Sequence, residues 1–338
     1  LAGGAITAYG GLLLVALLWV LCTGWLWWLL AYTWRTAFPG EGLRSDPAFL
    51  RALLGGVAAG LAVMAGLVFY RRTVYATDAV NYFAKQNLLF NSFSTSGFYG
   101  VSNLLENLLT ADYKMFMNLF ISLPYLFLPR NLNTFMVCYG LTCFVPMWTA
   151  LLMLARKAAV AFPGVRRGWY YAACMAAMVL WPMFLWPATH GLPDAFGLTF
   201  AAVILLLGAD LRFETLPPAR LLALFAATFA LILTRRWYMF WVLAFYLCYA
   251  AALLLRAARR GVFGRVLANL LKFGIPSVVL TVAALLPTFR TILTTDYADI
   301  YGAYYGGGFL VNCMAQAGRQ GWIWLALCAA GFAGLLAR

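Results

Sequence analysis

The sequence predicts an all-α polytopic membrane protein, and three observations predict it. Hydrophobic residues make up 65% of the 338 and charged residues only 10%, far from the mix of about half apolar and a quarter charged found in soluble domains. The apolar residues fall into runs of the length a bilayer-crossing helix needs, about 20 residues. The Arg and Lys residues stand at the ends of those runs, where they set topology and meet headgroups. The net charge of +14 therefore points to membrane lipids as partners and not to nucleic acid. Such a chain holds about eight or nine spans and one sizeable loop in a single membrane domain over 1–338. Cys22, Cys138, Cys143, Cys174, Cys248, Cys313 and Cys328 lie mostly inside apolar runs and form no CxxC pair, so they read as small buried hydrophobes.

The first span, 9–34, is free of charge and gathers Trp25, Trp27, Trp28 and Trp34 toward one end, as an interfacial belt does. A link with two prolines and two glycines, 35–51, separates it from the second span, 52–70, whose GGVAAG stretch suits close helix packing. The longest interval without a span follows, from Tyr70 to Tyr113, inside a loop that extends to 133. Within it Val101, Leu104, Leu105, Leu108 and Leu109 recur at helical spacing with Ser102, Asn103, Glu106 and Asn107 opposite, the pattern of an amphipathic interfacial helix. The 79–93 segment repeats this with Val80, Tyr82, Phe83, Phe90 and Phe93 set against Asn81, Lys85 and Ser92. Two surface helices hinged at STSGFYG are expected. The next run, 115–128, contains Asn118 and Pro124 and is too short to span, so it reads as re-entrant or interfacial. Further spans are expected at 134–155, 169–188, 195–209, 221–234, 237–255, 267–287 and from 321 onward. The chain starts without methionine and its last apolar run stops at Arg338, so part of a longer chain is expected.

Loop charge orients the spans. Placing the links 35–51, 156–168, 210–220 and 256–272 on one side gathers 14 Lys and Arg there against nine on the other, which marks that side as cytoplasmic. The long loop, the HGLPD turn, the Arg235/Arg236 turn and the 288–320 loop then face the opposite side, with six of the ten acids.

Ionisable groups at membrane level are costly and stand as functional candidates. Asp78 opens the first surface helix, where it serves as helix cap or as general base. Asp194, after Pro193, fits a cap and faces the same side. His190 is the one histidine, more typical of a surface hydrogen-bonding group than of a metal ligand, and no metal site is assigned. Arg235 and Arg236 lie in TRRWYMFW, against positive-inside logic, and suit either headgroups or a bound lipid phosphate. The tyrosine-rich stretch 295–308, with Tyr301, reads as a mobile loop lining a sugar site or as a plain re-entry turn.

This arrangement resembles the GT-C superfamily of membrane glycosyltransferases, which includes protein O-mannosyltransferases and lipid A aminoarabinose transferases. The resemblance covers 52–255 and is one of spacing. A span ending at Tyr70 leads into a large loop, Asp78 holds the early acidic position, 79–93 and 101–128 match the juxtamembrane helices, and Asp194 in LPDAFG matches a second acid. The paired acids of many members are reduced here to Asp78 followed by Ala79, no HxPP-like segment precedes the second surface helix, and 1–51 adds a span and link. The resemblance implies a GT-C-like bundle with two or three juxtamembrane helices in an extracytoplasmic loop, and 256–338 as further spans. It implies inverting transfer of a sugar from a polyprenyl-phosphate donor to a hydroxyl of a glycan, lipid or protein acceptor, in a bacterial inner or plasma membrane. Asp78 would be the base; Asp194, His190, Arg235, Arg236, Tyr82 and Tyr301 would bind substrate; a divalent cation is neither required nor excluded. The rival expectation is a transporter or lipid flippase, although the chain shows no internal repeat.

Overall fold

The computed structural model describes residues 2–70, 77–111, 113–160, 164–180 and 193–295, without the side chains of 2–8, 77 and 78. His190, Tyr301, the side chain of Asp78 and the expected span from 321 lie outside the described residues. The described chain is all-helical and carries five helices long and apolar enough to cross a membrane, which makes it an integral membrane protein. It divides into a unit Leu1–Phe289, which holds every residue of the candidate site described below, and a second from Arg290.

The helices are α1 (Ala2–Ala37), α2 (Pro47–Tyr70), α3 (Thr77–Thr95), α4 (Gly97–Thr110), α5 (Phe116–Phe127), α6 (Leu132–Tyr139), α7 (Val145–Ala159), α8 (Arg167–Leu180), α9 (Asp194–Ala209), α10 (Pro218–Thr234), α11 (Tyr238–Arg259), α12 (Phe263–Ala284) and α13 (Leu286–Thr294). Capping residues explain several boundaries. Asp46 accepts from the Phe49 amide at the start of α2, Ser96 from Tyr99 at the start of α4, and Asn131 from Thr134 at the start of α6, each satisfying an amide left open by the helix start. Ser96 thus sets the expected hinge between α3 and α4. A π-helical turn, Gly140–Phe144, joins α6 to α7 in one continuous span. Pro146, just beyond it, offers no N–H to the Thr142 carbonyl, which loosens the ladder there.

The first span is central to the packing. Gly11 of α1 meets the backbone of Phe93 on α3 so closely that no side chain would fit between them. Deeper in the bundle Trp25 of α1, Phe116 and Phe120 of α5, and Phe196 and Phe200 of α9 form one aromatic layer. The small residues of α2 work as expected: Gly56 faces Met175 of α8 and Gly60 faces Trp148 of α7.

Helix α5 is short, as the sequence indicates, yet it is buried inside the bundle and does not rest on its surface; eight of its 12 residues are buried. Its Pro124 cannot donate to the Phe120 carbonyl, and the indole of Trp19 on α1 donates to that carbonyl instead, at 2.8 Å. A polar seam fastens α5 to α3. Asn118 Nδ2 donates to the Tyr82 carbonyl and to Gln86 Oε1, both at 2.9 Å, and Gln86 Nε2 donates to Ser122 Oγ at 3.1 Å.

Two polar residues assigned to the outer faces of the surface helices turn inward. Asn107 of α4 is buried because its Oδ1 accepts from the Met115 amide at 2.6 Å, capping α5, and Ser92 of α3 is buried with its hydroxyl donating to Leu89. Lys114 is fully buried; its ammonium donates to the Leu108 carbonyl at 2.6 Å and to Thr288 Oγ1 at 2.9 Å. Thr288 in turn donates to the Leu109 carbonyl, so the open C-terminal carbonyls of α4 are satisfied from outside the helix.

Candidate functional site

Charged side chains gather at the two ends of the bundle. At one end Arg156 of α7 is the hub. Its Nε donates to Asp46 at 2.9 Å, its Nη2 pairs with Glu41, and the guanidinium lies over the rings of Trp34 and Phe38, 4.7 and 4.2 Å from their centres. Tyr171 of α8 donates to the same Asp46 carboxylate. Lys157 pairs with Asp210 at 2.5 Å and Arg260 with Glu214 at 3.4 Å. These contacts join the links 35–51, 156–168, 210–220 and 256–272 at one end, and they engage the four acids that those links carry. Burial alone would raise the Asp46 carboxyl, but the Phe49 amide and the Arg156 guanidinium outweigh it and hold Asp46 below the usual carboxylate value.

The opposite end holds the candidate site. Asp194 is the first residue of α9, and its carboxylate accepts from Arg235 Nη1 at 3.4 and 3.2 Å and from the Tyr238 hydroxyl at 3.1 Å. Arg235 lies in the turn between α10 and α11, and Tyr238 opens α11. The Tyr238 ring reaches Asp194 across Gly197, where any side chain would strike it. Asp194 and Arg235 keep 32% and 28% of their side-chain surfaces exposed, so a ligand can reach both.

Two buried phenols back this pair. Tyr139, the last residue before the π-turn, is in electrostatic reach of Asp194, Tyr238 and Tyr82, and Tyr238 is in reach of Tyr82. Tyr82 belongs to α3, and Asp78 is the second residue of that helix, one helical turn earlier. Arg236 is buried, with its guanidinium 5.4 Å from the Trp237 ring centre.

Of the candidates read from the sequence, the structure thus pairs Asp194 with Arg235, places Arg236 in the same turn, and sets Tyr82 within electrostatic reach of Tyr238. It adds Tyr238, Tyr139 and Gly197. Tyr238 had a sequence signal, three residues after Arg235 in TRRWYMFW, whereas nothing in the local sequence singled out Tyr139 within its apolar span. Among the described residues no three His, Cys, Asp or Glu side chains cluster as metal ligands would. No family model matches the chain, and neither a curated protein nor a solved structure matches it.

The arrangement offers a carboxylate with lone pairs to spare, guanidinium groups suited to phosphate oxygens, and phenols that pair with hydroxyls. Polyhydroxyl and phosphate chemistry is what such a set can bind.

Proposed function

We propose that the chain is an inverting glycosyltransferase of GT-C type, moving a sugar from a polyprenyl-phosphate donor to an acceptor hydroxyl on the extracytoplasmic side of a bacterial membrane. The observation that carries the reading is the cluster of Asp194, Arg235 and Tyr238, which lies in electrostatic reach of Tyr82 on the helix that bears Asp78. Roles divide by what each group already holds. Both Asp194 oxygens are engaged by Arg235 and one also by Tyr238, so this carboxylate anchors sugar or acceptor hydroxyls and is not the base. Asp78 takes the acceptor proton as the acceptor oxygen attacks the anomeric carbon from the face opposite the phosphate. The C–O bond to the phosphate breaks, and Arg235 and Arg236 offset the charge that gathers on the leaving oxygen.

The test is release of free lipid phosphate when the purified full chain is given a panel of polyprenyl-phosphate sugars with a hydroxyl acceptor. Asp78→Asn is expected to lower turnover by roughly 100-fold or more while thermal unfolding in detergent stays unchanged. Normal turnover in that variant removes Asp78 from the mechanism. Donor binding without release by the unsubstituted chain favours transport, and neither binding nor release overturns the reading.

A further inference from the structure

The lengths of the helices fix a depth for the Asp194–Arg235 pair. Helix α1 supplies the ruler. Its Trp34 lies beneath Arg156 at the ionic end, and Leu14, about 30 Å away along the helix, touches the position of Gly97 at the start of α4 at 3.5 Å. Taking the ionic end as one edge of the hydrocarbon core, that separation equals the thickness of a typical bilayer, about 30 Å, which puts the start of α4 at the other edge. Helices α9 and α10 fall short of it. With 16 and 17 residues they rise about 24 and 26 Å. Neither can slide outward, because their ionic ends are fastened by the Lys157–Asp210 pair, by Arg220 Nε donating to the Leu207 carbonyl at 2.8 Å, and by the Tyr249 hydroxyl donating to the Gly208 carbonyl at 2.6 Å.

A cross-check comes from the aromatic layer. Trp25 of α1 and Phe200 of α9 meet at 5.9 Å, and both helices run toward the ionic end, so Asp194 stands near the level of Trp19, below Leu14. We infer that the Asp194–Arg235 pair sits about 5–7 Å inside the far hydrocarbon boundary, and that bilayer thickness controls whether water and headgroups reach it. A charged pair at that depth is costly in lipid. The bilayer meets a short helix by thinning around it, at a cost that grows with the mismatch. A thin bilayer therefore exposes the pair, and a thick one covers it with acyl chains. The inference concerns depth alone and holds whichever reaction the site performs.

A nitroxide label reads that depth directly. Phe240 is 51% exposed one turn from Arg236, and Leu247, 63% exposed, lies two turns further along α11. Phe240→Cys and Leu247→Cys, each in a Cys248→Ser chain and corrected for labelling of that background, are reconstituted in short-chain and long-chain phosphatidylcholine vesicles. The label at 240 is expected to be severalfold more accessible to a water-soluble nickel chelate in the thin bilayer than in the thick one, with the label at 247 accessible to oxygen alone in both. Equal chelate access at 240 in both bilayers places the turn at or beyond the boundary and overturns the inference. No chelate access at 240 in either bilayer overturns it too, by removing the dependence on thickness.

Discussion

Single side chains decide the chemistry at both ends of the bundle. Asp46 is held below its ordinary value, so its contribution to stability is complete above about pH 4 and fades as pH falls through the lower folded value. Asp46→Asn is expected to flatten the acid limb of a melting-temperature profile in detergent without moving the profile's neutral-side shape. Arg156→Met is expected to be harsher, costing about 3–5 kcal/mol, because it leaves the nearly buried Asp46 carboxylate without its cation. At the other end Gly197→Ala would push the Tyr238 ring from Asp194. Under the transferase reading it should lower lipid-phosphate release about tenfold, equivalent to about 1.4 kcal/mol, with little change in melting temperature. Asp194 itself was visible in the sequence as an acid in an apolar setting. Arg235 stood out too, as a cation against positive-inside logic, but its pairing with Asp194 did not, since Arg235 and Tyr238 lie 41 and 44 residues away and only folding brings them near.

The helices show where sequence patterning suffices and where packing takes over. The limits of α4, α6 and α9 follow from Ser96, Asn131 and the apolar run that Asp194 opens, because caps and apolar runs are local signals. The inward turn of Asn107 and the burial of α5 depend on neighbours distant in the chain and leave no local mark. Helix α5 makes this testable. Trp19→Phe strands the Phe120 carbonyl and should cost about 1–2 kcal/mol. Pro124→Ala returns an amide to that carbonyl, so the same Trp19→Phe change should cost little in the Pro124→Ala background. A double-mutant cycle on unfolding in detergent measures the coupling. Equal costs in the two backgrounds would show that the indole acts by packing alone.

For the molecule as a whole, α1 joins parts that the sequence kept separate. It read as an additional span ahead of the catalytic module, yet it packs on α3, α5 and α9 and sets the level at which α4 begins. A chain beginning at Pro47 is expected not to yield a folded monomer in detergent, while α1 supplied as a separate segment should restore one; size-exclusion chromatography distinguishes the outcomes. The Arg156 hub also bears on the order of events at the ribosome. Asp46 leaves the ribosome 110 residues before its cation, a delay on the order of 5–20 s at ordinary rates of synthesis. For that interval Asp46 lacks its folded-state partner, while the charges of the tip itself, Arg35, Glu41, Arg44, Asp46 and Arg51, favour keeping the tip in water. Trp34 already ties that end to the Glu41 carbonyl and the Phe49 ring, but its ionic lock is complete only once α7 delivers Arg156, so the final seating of the first two spans waits on the insertion of one made much later.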